Sequence, residues 1–251
     1  MTAQSDKSFI RETYHRLYKA LGPQHWWPGD TPFEVIVGAI LTQNTNWTNV
    51  EKAIRNLKQA KVLAPAALRD IPVEKLAQLI RPAGYFNVKA KRLKNFMKFF
   101  FERYGGKIAF MKKTDGEILR QELLAVNGIG PETADSILLY ALEKTTFVVD
   151  AYTKRILYRH NLVGKNADYH ALQDIFNGAL AKNVRLFNEY HALIVRLGKD
   201  FCRTKPNCGD CPLKKMNYSL TRRCPQCYRA LSSLEYKAAA KEKMCGHCRD
   251  S

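Results

Sequence analysis

The chain has 251 residues, 46% of them hydrophobic and 11% aromatic, with 41 Lys and Arg against 23 Asp and Glu for a net charge of +18. A chain of this length buries roughly 70–75% of its unfolded surface, enough for one large or two small domains, and its composition excludes disorder. The longest apolar run, Val35 to Leu41, is far short of the ~20 residues that cross a bilayer, which excludes a membrane span; the charge excess points to a polyanion, most often nucleic acid, or else to a solvated basic surface.

The opening MTAQSDKSFIRETYH lacks an apolar export core, so a cytoplasmic protein is expected. In that reducing compartment, 7 cysteines are read as metal ligands or catalytic groups before disulfides. Apolar residues recur at helical spacing to about residue 200 without a clear alternating pattern, so the fold class is mainly α. Ser5 is placed to cap a first helix with the stripe Ile10, Tyr14, Leu17 and Leu21, stopped by Gly22-Pro23. A second helix runs from near Pro32 to Leu41, and a third carries Val50, Ile54 and Leu57. A fourth, opened by Pro72, carries Leu76, Leu79 and Ile80 until Pro82 and Gly84 break it. Asn87 to Tyr104 reads as a long basic helix ended by Gly105-Gly106. Nine basic residues (Lys89, Lys91, Arg92, Lys94, Lys98, Arg103, Lys107, Lys112, Lys113) lie between Lys89 and Lys113 against Glu102 alone. Thr114-x-x-Glu117 has the form of a capping box, opening a helix that ends at Val126. Pro131 opens another, through about Lys144, and helical patterns follow at 151–160, 168–182 and 184–199. From Cys202, short Pro-, Gly- and Cys-rich pieces replace the long helices.

Gly128-Ile129-Gly130 joins two of these helices. Glycine takes positive φ and lets its backbone approach another molecule closely. Ile129 plugs the hairpin's own core, and Pro131 leaves the neighbouring N–H groups of a positive helix end facing outward. A DNA phosphate fits there, directly or through a bound monovalent cation, in a contact that positions but reads no sequence. An ordinary αα-turn has the same pattern. Phe147-Val148-Val149 then approaches in extended form and delivers Asp150 to the start of the next helix.

On LLAVNGIGPETAD and VVDAY, with ILTQNT and AGYFNVKAKRL upstream, the chain resembles the endonuclease III superfamily of helix-hairpin-helix (HhH-GPD) DNA glycosylases, over roughly residues 30 to 212. The resemblance implies a two-domain helix-hairpin-helix glycosylase fold with a C-terminal Cys-rich metal-binding segment. Residues 24–145 would form a six-helix barrel domain bearing the hairpin, and 1–23 with 146–213 a second helical domain ending in a Cys-rich, iron–sulfur-like loop. Residues 214–251 would form a zinc ribbon tail.

The resemblance makes Asp150 the catalytic carboxylate, stabilising the oxocarbenium-like sugar or activating the nucleophile as the N-glycosidic bond breaks. Glu132 stands where bifunctional members carry the lysine that attacks C1′; a carboxylate cannot form that Schiff base, so a monofunctional enzyme using water is expected. Gln43 resembles the residue that fills the space left by the flipped nucleotide, and Tyr85 the wedge entering from the other side. Asn87 and Lys89 join them, with Gly128, Ile129 and Gly130, as DNA-binding candidates. A polar helix terminus at Gln43 and a core aromatic at Tyr85 are the structural alternatives. Trp26, Trp27 and Trp47 are candidates for the base pocket, since indoles stack on a flipped base and attract a cationic alkylated purine; the alternative is core packing. WWP followed by ILTQNTNW looks most like the branch that excises 3-methyladenine. The implied partner is damaged double-stranded DNA, met by a monomeric enzyme in the cytoplasm, within the nucleoid if the source is bacterial or archaeal.

Superfamily members often hold a 4Fe–4S cluster with four cysteines at C-x6-C-x2-C-x5-C. Cys202-x5-Cys208-x2-Cys211 supplies three ligands with the first gap one residue short, and Asn217 occupies the fourth position. Cys224-x2-Cys227 and Cys245-x2-Cys248, separated by 17 residues, have the spacing of a four-cysteine zinc site. Cys224 is contested. Either the ribbon is intact and the upstream set uses another ligand, or Cys224 belongs upstream and His247 completes zinc with Cys227, Cys245 and Cys248. Neither site is expected to be catalytic; each fixes a loop bearing Arg203, Lys205, Lys214, Lys215, Arg222 and Arg223 against DNA. Two further readings stand beside the first: a bifunctional glycosylase with AP-lyase activity on oxidised pyrimidines, and a DNA-binding protein without chemistry.

Overall fold

The structure, a computed structural model, describes residues 3–26, 29–214, 216, 224, 226, 227, 229, 231, 235, 238, 239 and 242–249, the side chains of 3–5, 247 and 249 aside; Trp27, Asn217 and His247 as a ligand therefore lie outside it. Among the described residues every regular element is helical. In chain order these are α1 (Ala3–Leu21), α2 (Pro32–Leu41), α3 (Trp47–Gln59), α4 (Pro65–Asp70), α5 (Val73–Leu79), a 3₁₀ turn (Arg81–Ala83), α6 (Phe86–Tyr104), α7 (Ile108–Lys113), α8 (Gly116–Leu124), α9 (Pro131–Ser136), α10 (Ala151–Arg159), α11 (Tyr169–Ala179) and α12 (Val184–Asp200). α9 continues as a π-helical turn, Ile137–Ala141, and a last turn of helix spans Gly246–Arg249. No described helix is long and apolar enough to cross a membrane.

Contacts divide the chain into two units: Trp27–Thr146, and Met1–Trp26 together with Phe147–Ser251. In the first, α2 is apolar almost all round (PFEVIVGAIL), which suits a central helix. It is packed by α3, α6, α9 and the π-helical turn. Thr31 Oγ1 accepts from Glu34 N at 3.1 Å, and Pro32 takes the first helical position, where no N–H is needed. α6 buries Leu93, Phe96, Met97 and Phe100 and ends at Gly105, whose φ of 57° closes the helix in left-handed geometry.

Three local expectations change. The first helix begins at Ala3, so Ser5 lies inside it and cannot be its N-cap. α8 is capped by Asp115, which accepts from Glu117 N and Ile118 N, while Thr114 closes α7 by donating to Phe110 O. α4 and α7 are new; each has six residues and buries a single large side chain, Leu68 or Met111, too little for a periodic signal.

In the second unit α1 packs on α11 and α12. Tyr190, fully buried, donates to Ile10 O at 2.7 Å, and Arg11 Nε to Ala179 O at 2.7 Å. Phe147 stacks on Phe176 with ring centroids 3.9 Å apart and accepts at its carbonyl from Gln173 Nε2 at 2.7 Å. These contacts fix the segment leading into Asp150. α10 lies against α12 where Gly198 leaves room for Tyr152: a Cβ there would sit 2.3 Å from the ring.

Candidate nucleic-acid interface, active-site residues and metal centre

In the unit Trp27–Thr146 the hairpin joins α8 to α9. Gly128 has φ of 97°, the left-handed region open to glycine, and Ile129 is buried with its N–H on Val126 O at 3.0 Å. Gly130 is exposed, and a Cβ built there meets nothing within 4 Å. The arms are clamped by a buried pair: Arg120 on α8 donates to both oxygens of Asp135 on α9, at 2.8 and 3.1 Å, and Thr146 Oγ1 donates to Asp135 at 3.1 Å. Gln43 is drawn into the same place. Its Nε2 donates to Gly128 O and to Thr133 Oγ1, each at 2.9 Å, and its Oε1 accepts from Arg92. Gln43, Arg92, Gly128 and Thr133 therefore form one hydrogen-bonded cluster. Asn87 is exposed near the start of α6. Tyr85 precedes α6 at φ 45°, ψ 32°, and is 72% exposed, so a large aromatic is held outward in a strained left-handed conformation. Such strain persists where surrounding structure enforces it and is concentrated at functional positions.

The basic block is less available than its composition suggests. Lys89 is 1% exposed and its ammonium donates to Leu41 O and Ala83 O, so it does not present its charge to a phosphate. Burial and the neighbouring Arg92 push its pKa down to about 8. Lys94 is bonded to the carbonyls of Leu68, Arg69 and Ile71, Arg103 to Glu122 and Lys112 to Glu143. Lys91, Lys98, Lys107 and Lys113 remain exposed.

In the second unit Asp150 is the N-cap of α10. Its Oδ1 accepts from Thr153 N at 2.7 Å and Thr153 Oγ1 at 2.8 Å. Its Oδ2 faces Nε2 of His191 on α12 at 3.7 Å, too long for a hydrogen bond. Burial lowers the His191 pKa, with the Asp150 carboxylate opposing, so the ring is neutral near pH 7. Trp26 meets the same imidazole edge-on at 6.1 Å. Trp47 instead packs over Gly38 of α2, in the other unit, with its ring 3.4 Å from where a Cβ would be. Glu132 is exposed in the first turn of α9, where an acid suits the positive helix end. His191 was not legible beforehand: a single imidazole on an apolar helix face, 41 positions after Asp150, carries no local signal.

Cys224, Cys227, Cys245 and Cys248 converge with all four sulfurs within 4.8 Å of one another. Three of the separations are 3.8, 3.9 and 3.6 Å. A tetrahedral ion bound at about 2.3 Å requires sulfurs about 3.8 Å apart, so the set has the size of a site for one metal ion. Burial raises the Cys224 thiol, but the N–H groups of Cys227, Gln226 and Cys245 outweigh it and bring it down to about 7. The set is joined to the helices by Tyr158, which donates to Cys227 Sγ at 3.5 Å, and by Arg229, which donates to Asn161 Oδ1. Cys224 thus sits with the C-terminal group. Cys202, Cys208 and Cys211 line a separate cavity with Arg159, His160 and Asn207, and Arg159 donates to Cys202 Sγ at 3.3 Å. Among the described residues these three do not converge as the other four do, and no fourth cysteine joins them.

Residues 37–182 match the family described as HhH-GPD superfamily base excision DNA repair protein. A protein of Methanocaldococcus jannaschii with the provisional name DNA repair glycosylase is 51% identical over 210 residues, covering 81% of this chain and 95% of that one. Endonuclease III of Thermotoga maritima is 28% identical over 184 residues, 73% of this chain and 81% of its own. Among solved structures, the H. pylori 3-methyladenine DNA glycosylase bound to 1,N6-ethenoadenine superposes with TM-score 0.65 at 30% identity, covering 79% of this chain and 98% of that one. A trapped endonuclease III–DNA covalent intermediate gives TM-score 0.72 at 22% identity over 85% and 94%, a likeness of fold.

Proposed function

The chain belongs to the HhH-GPD superfamily of base excision DNA repair proteins, and from that premise we propose that it is a monofunctional DNA glycosylase that flips a damaged base out of duplex DNA and hydrolyses its N-glycosidic bond. The observation that carries this reading is the carboxylate of Asp150, which one oxygen ties to Thr153 and the other leaves beside a neutral imidazole. As the C1′–N bond breaks, positive charge grows on the sugar, and a carboxylate fixed in a partly buried place stabilises it without reorganising. Water then bonds to C1′ and gives up a proton, for which Asp150 is the acceptor. Glu132 cannot supply the amine a covalent intermediate needs, so no strand cleavage accompanies base release.

An alkylated purine is the favoured substrate. It already carries positive charge and leaves as a neutral base, needing no acid. Support comes from the likeness to the 3-methyladenine glycosylase and from Trp26, an indole of the kind that attracts cations, which lies 6.1 Å from the His191 ring that stands beside Asp150. Gln43 and Tyr85 replace and displace the flipped nucleotide, and the Gly128–Gly130 turn holds a phosphate. The C-terminal cysteines hold a structural zinc ion; the spacing of their sulfurs supports this. Zinc there supplies folding free energy and no chemistry.

Duplexes containing 3-methyladenine, thymine glycol or uracil, incubated with and without alkaline treatment, test the reading. Base release from the alkylated duplex, with strand breaks only after alkali, is expected. Asp150→Asn keeps the capping oxygen and should abolish release while sparing binding. Unchanged release by that variant would overturn the assignment, and binding without release from any duplex would favour a non-catalytic DNA-binding protein.

A further inference from the structure

The proposed plug and wedge sit on different loops, and one side chain ties both. Lys89 lies on the buried stripe of α6 with Leu93, Phe96 and Phe100. Its Nζ donates to Leu41 O at 2.9 Å and to Ala83 O at 2.7 Å. Leu41 is the last residue of α2, two before Gln43; Ala83 is the last residue of the 3₁₀ turn, two before Tyr85. The backbone of Lys89 adds a third anchor, its N–H donating to Tyr85 O at 3.0 Å. Gly84-Tyr85, both at positive φ, is thus held on each side by the same residue. One turn further along α6, Arg92 reaches Gln43 itself.

An ammonium has three donors and can grip two carbonyls from different segments at once. Burying that charge is costly, and an apolar side chain of similar volume would remove the cost. A cation kept here therefore points to what it holds together. We propose that Lys89 is a positioning residue that sets the spacing between the Gln43 and Tyr85 loops, so that both enter the duplex in one step, while touching no nucleotide itself. The inference rests on the reading of Gln43 and Tyr85 given above.

The test uses the full chain, a lesion duplex with 2-aminopurine beside the lesion as a reporter of flipping, and Lys89→Met in two backgrounds: wild type and Gln43→Ala/Tyr85→Ala. In the wild-type background the flipping rate should fall by roughly ten- to hundredfold, the loss of hydrogen bonds made by a charged group. In the double-variant background Lys89→Met should cost little more, because the loops it positions no longer carry their side chains. Affinity for undamaged duplex and its salt dependence should not change. An equal flipping rate, an equal loss in both backgrounds, or a salt slope lower by ~0.9 would overturn the proposal, the last because it marks a lost phosphate contact. Should Lys89→Met fail to melt cooperatively, Lys89→Gln, neutral and one atom too short to reach both carbonyls, is read by the same criteria. Wild-type protein that flips no lesion would remove the glycosylase reading and this proposal with it; wild-type flipping that survives Lys89→Met would remove only the latter.

Discussion

Arg92 packs so closely against Gly128 that a Cβ on the glycine would lie 2.3 Å from Arg92 Cγ. Gly128→Ala therefore meets both a left-handed backbone, at φ 97°, and a side chain already tied to Gln43. A loss of about 1–3 kcal/mol in urea or thermal unfolding is expected. Gly130 behaves differently: its φ is −94° and its Cβ position is open. Gly130→Ala should leave stability within about 0.5 kcal/mol yet weaken duplex binding, since the added methyl stands where the phosphate approaches. Equal effects of the two substitutions on binding and on stability would contradict this division.

The Arg120–Asp135 pair predicts how the hairpin fails. Both side chains are almost wholly buried, so Asp135→Ala takes the paired carboxylate away from a guanidinium in the interior. Removing one partner of a buried pair costs about 3–5 kcal/mol. The denaturant midpoint should fall accordingly, with duplex affinity falling at temperatures where the chain is still folded. A shift of a few tenths of a kcal/mol would show that the clamp is not holding the arms.

His191 gives a pH dependence with a definite sign. Burial lowers its pKa in the folded protein, so between that value and about 6.5 the unfolded chain binds the extra proton. Stability is therefore lost as pH falls below about 6.5, at up to ~1.4 kcal/mol per pH unit. Unfolding measured from pH 8 to pH 5 should show this slope in the wild-type protein and a flatter one in His191→Gln. Parallel curves would mean the imidazole is not held neutral.

The C-terminal cysteines predict one metal ion per chain. Cys248→Ser should lower metal content, and a strong chelator should loosen the segment joined to Tyr158 and Arg229 while the helical core keeps its melting temperature to within a few degrees. Mass spectrometry under native conditions and protease sensitivity near residue 229 are the measurements. Full metal content in Cys248→Ser would refute a four-sulfur site.

Borohydride should trap no adduct between the wild-type protein and a lesion duplex. Glu132→Lys restores an amine in the first turn of α9 and should create one. An adduct with the wild-type protein would mean that another amine serves and that the enzyme is bifunctional.

Much of this was legible because it is local. The apolar run of α2, Pro32 and Pro131 at helix starts and Gly105 at a helix end all act within one turn of chain. What escaped is set by distance. Asp150 meets His191 only when α10 packs on α12, and Arg120 meets Asp135 only when the hairpin closes. Thr114 has the spacing of a cap for α8, but it closes α7, a helix too short to be seen, and Asp115 caps α8 instead. Lys89 did leave a trace. It precedes Leu93, Phe96 and Phe100 at helical intervals, so it falls on the stripe that α6 buries, although its place in a run of lysines suggested the surface.

The split unit bears on how the chain is made. Residues 27–146 are continuous and can begin to fold as they leave the ribosome, but α1 has its packing partners in α11 and α12, more than 140 positions downstream. At 5–20 residues per second, the apolar stripe of α1 waits on the order of ten seconds for Phe176 and Tyr190 to be synthesised. α1 is thus translated long before the helices that bury it, and factors that shield nascent chains have a long opportunity at Ile10 and Leu17.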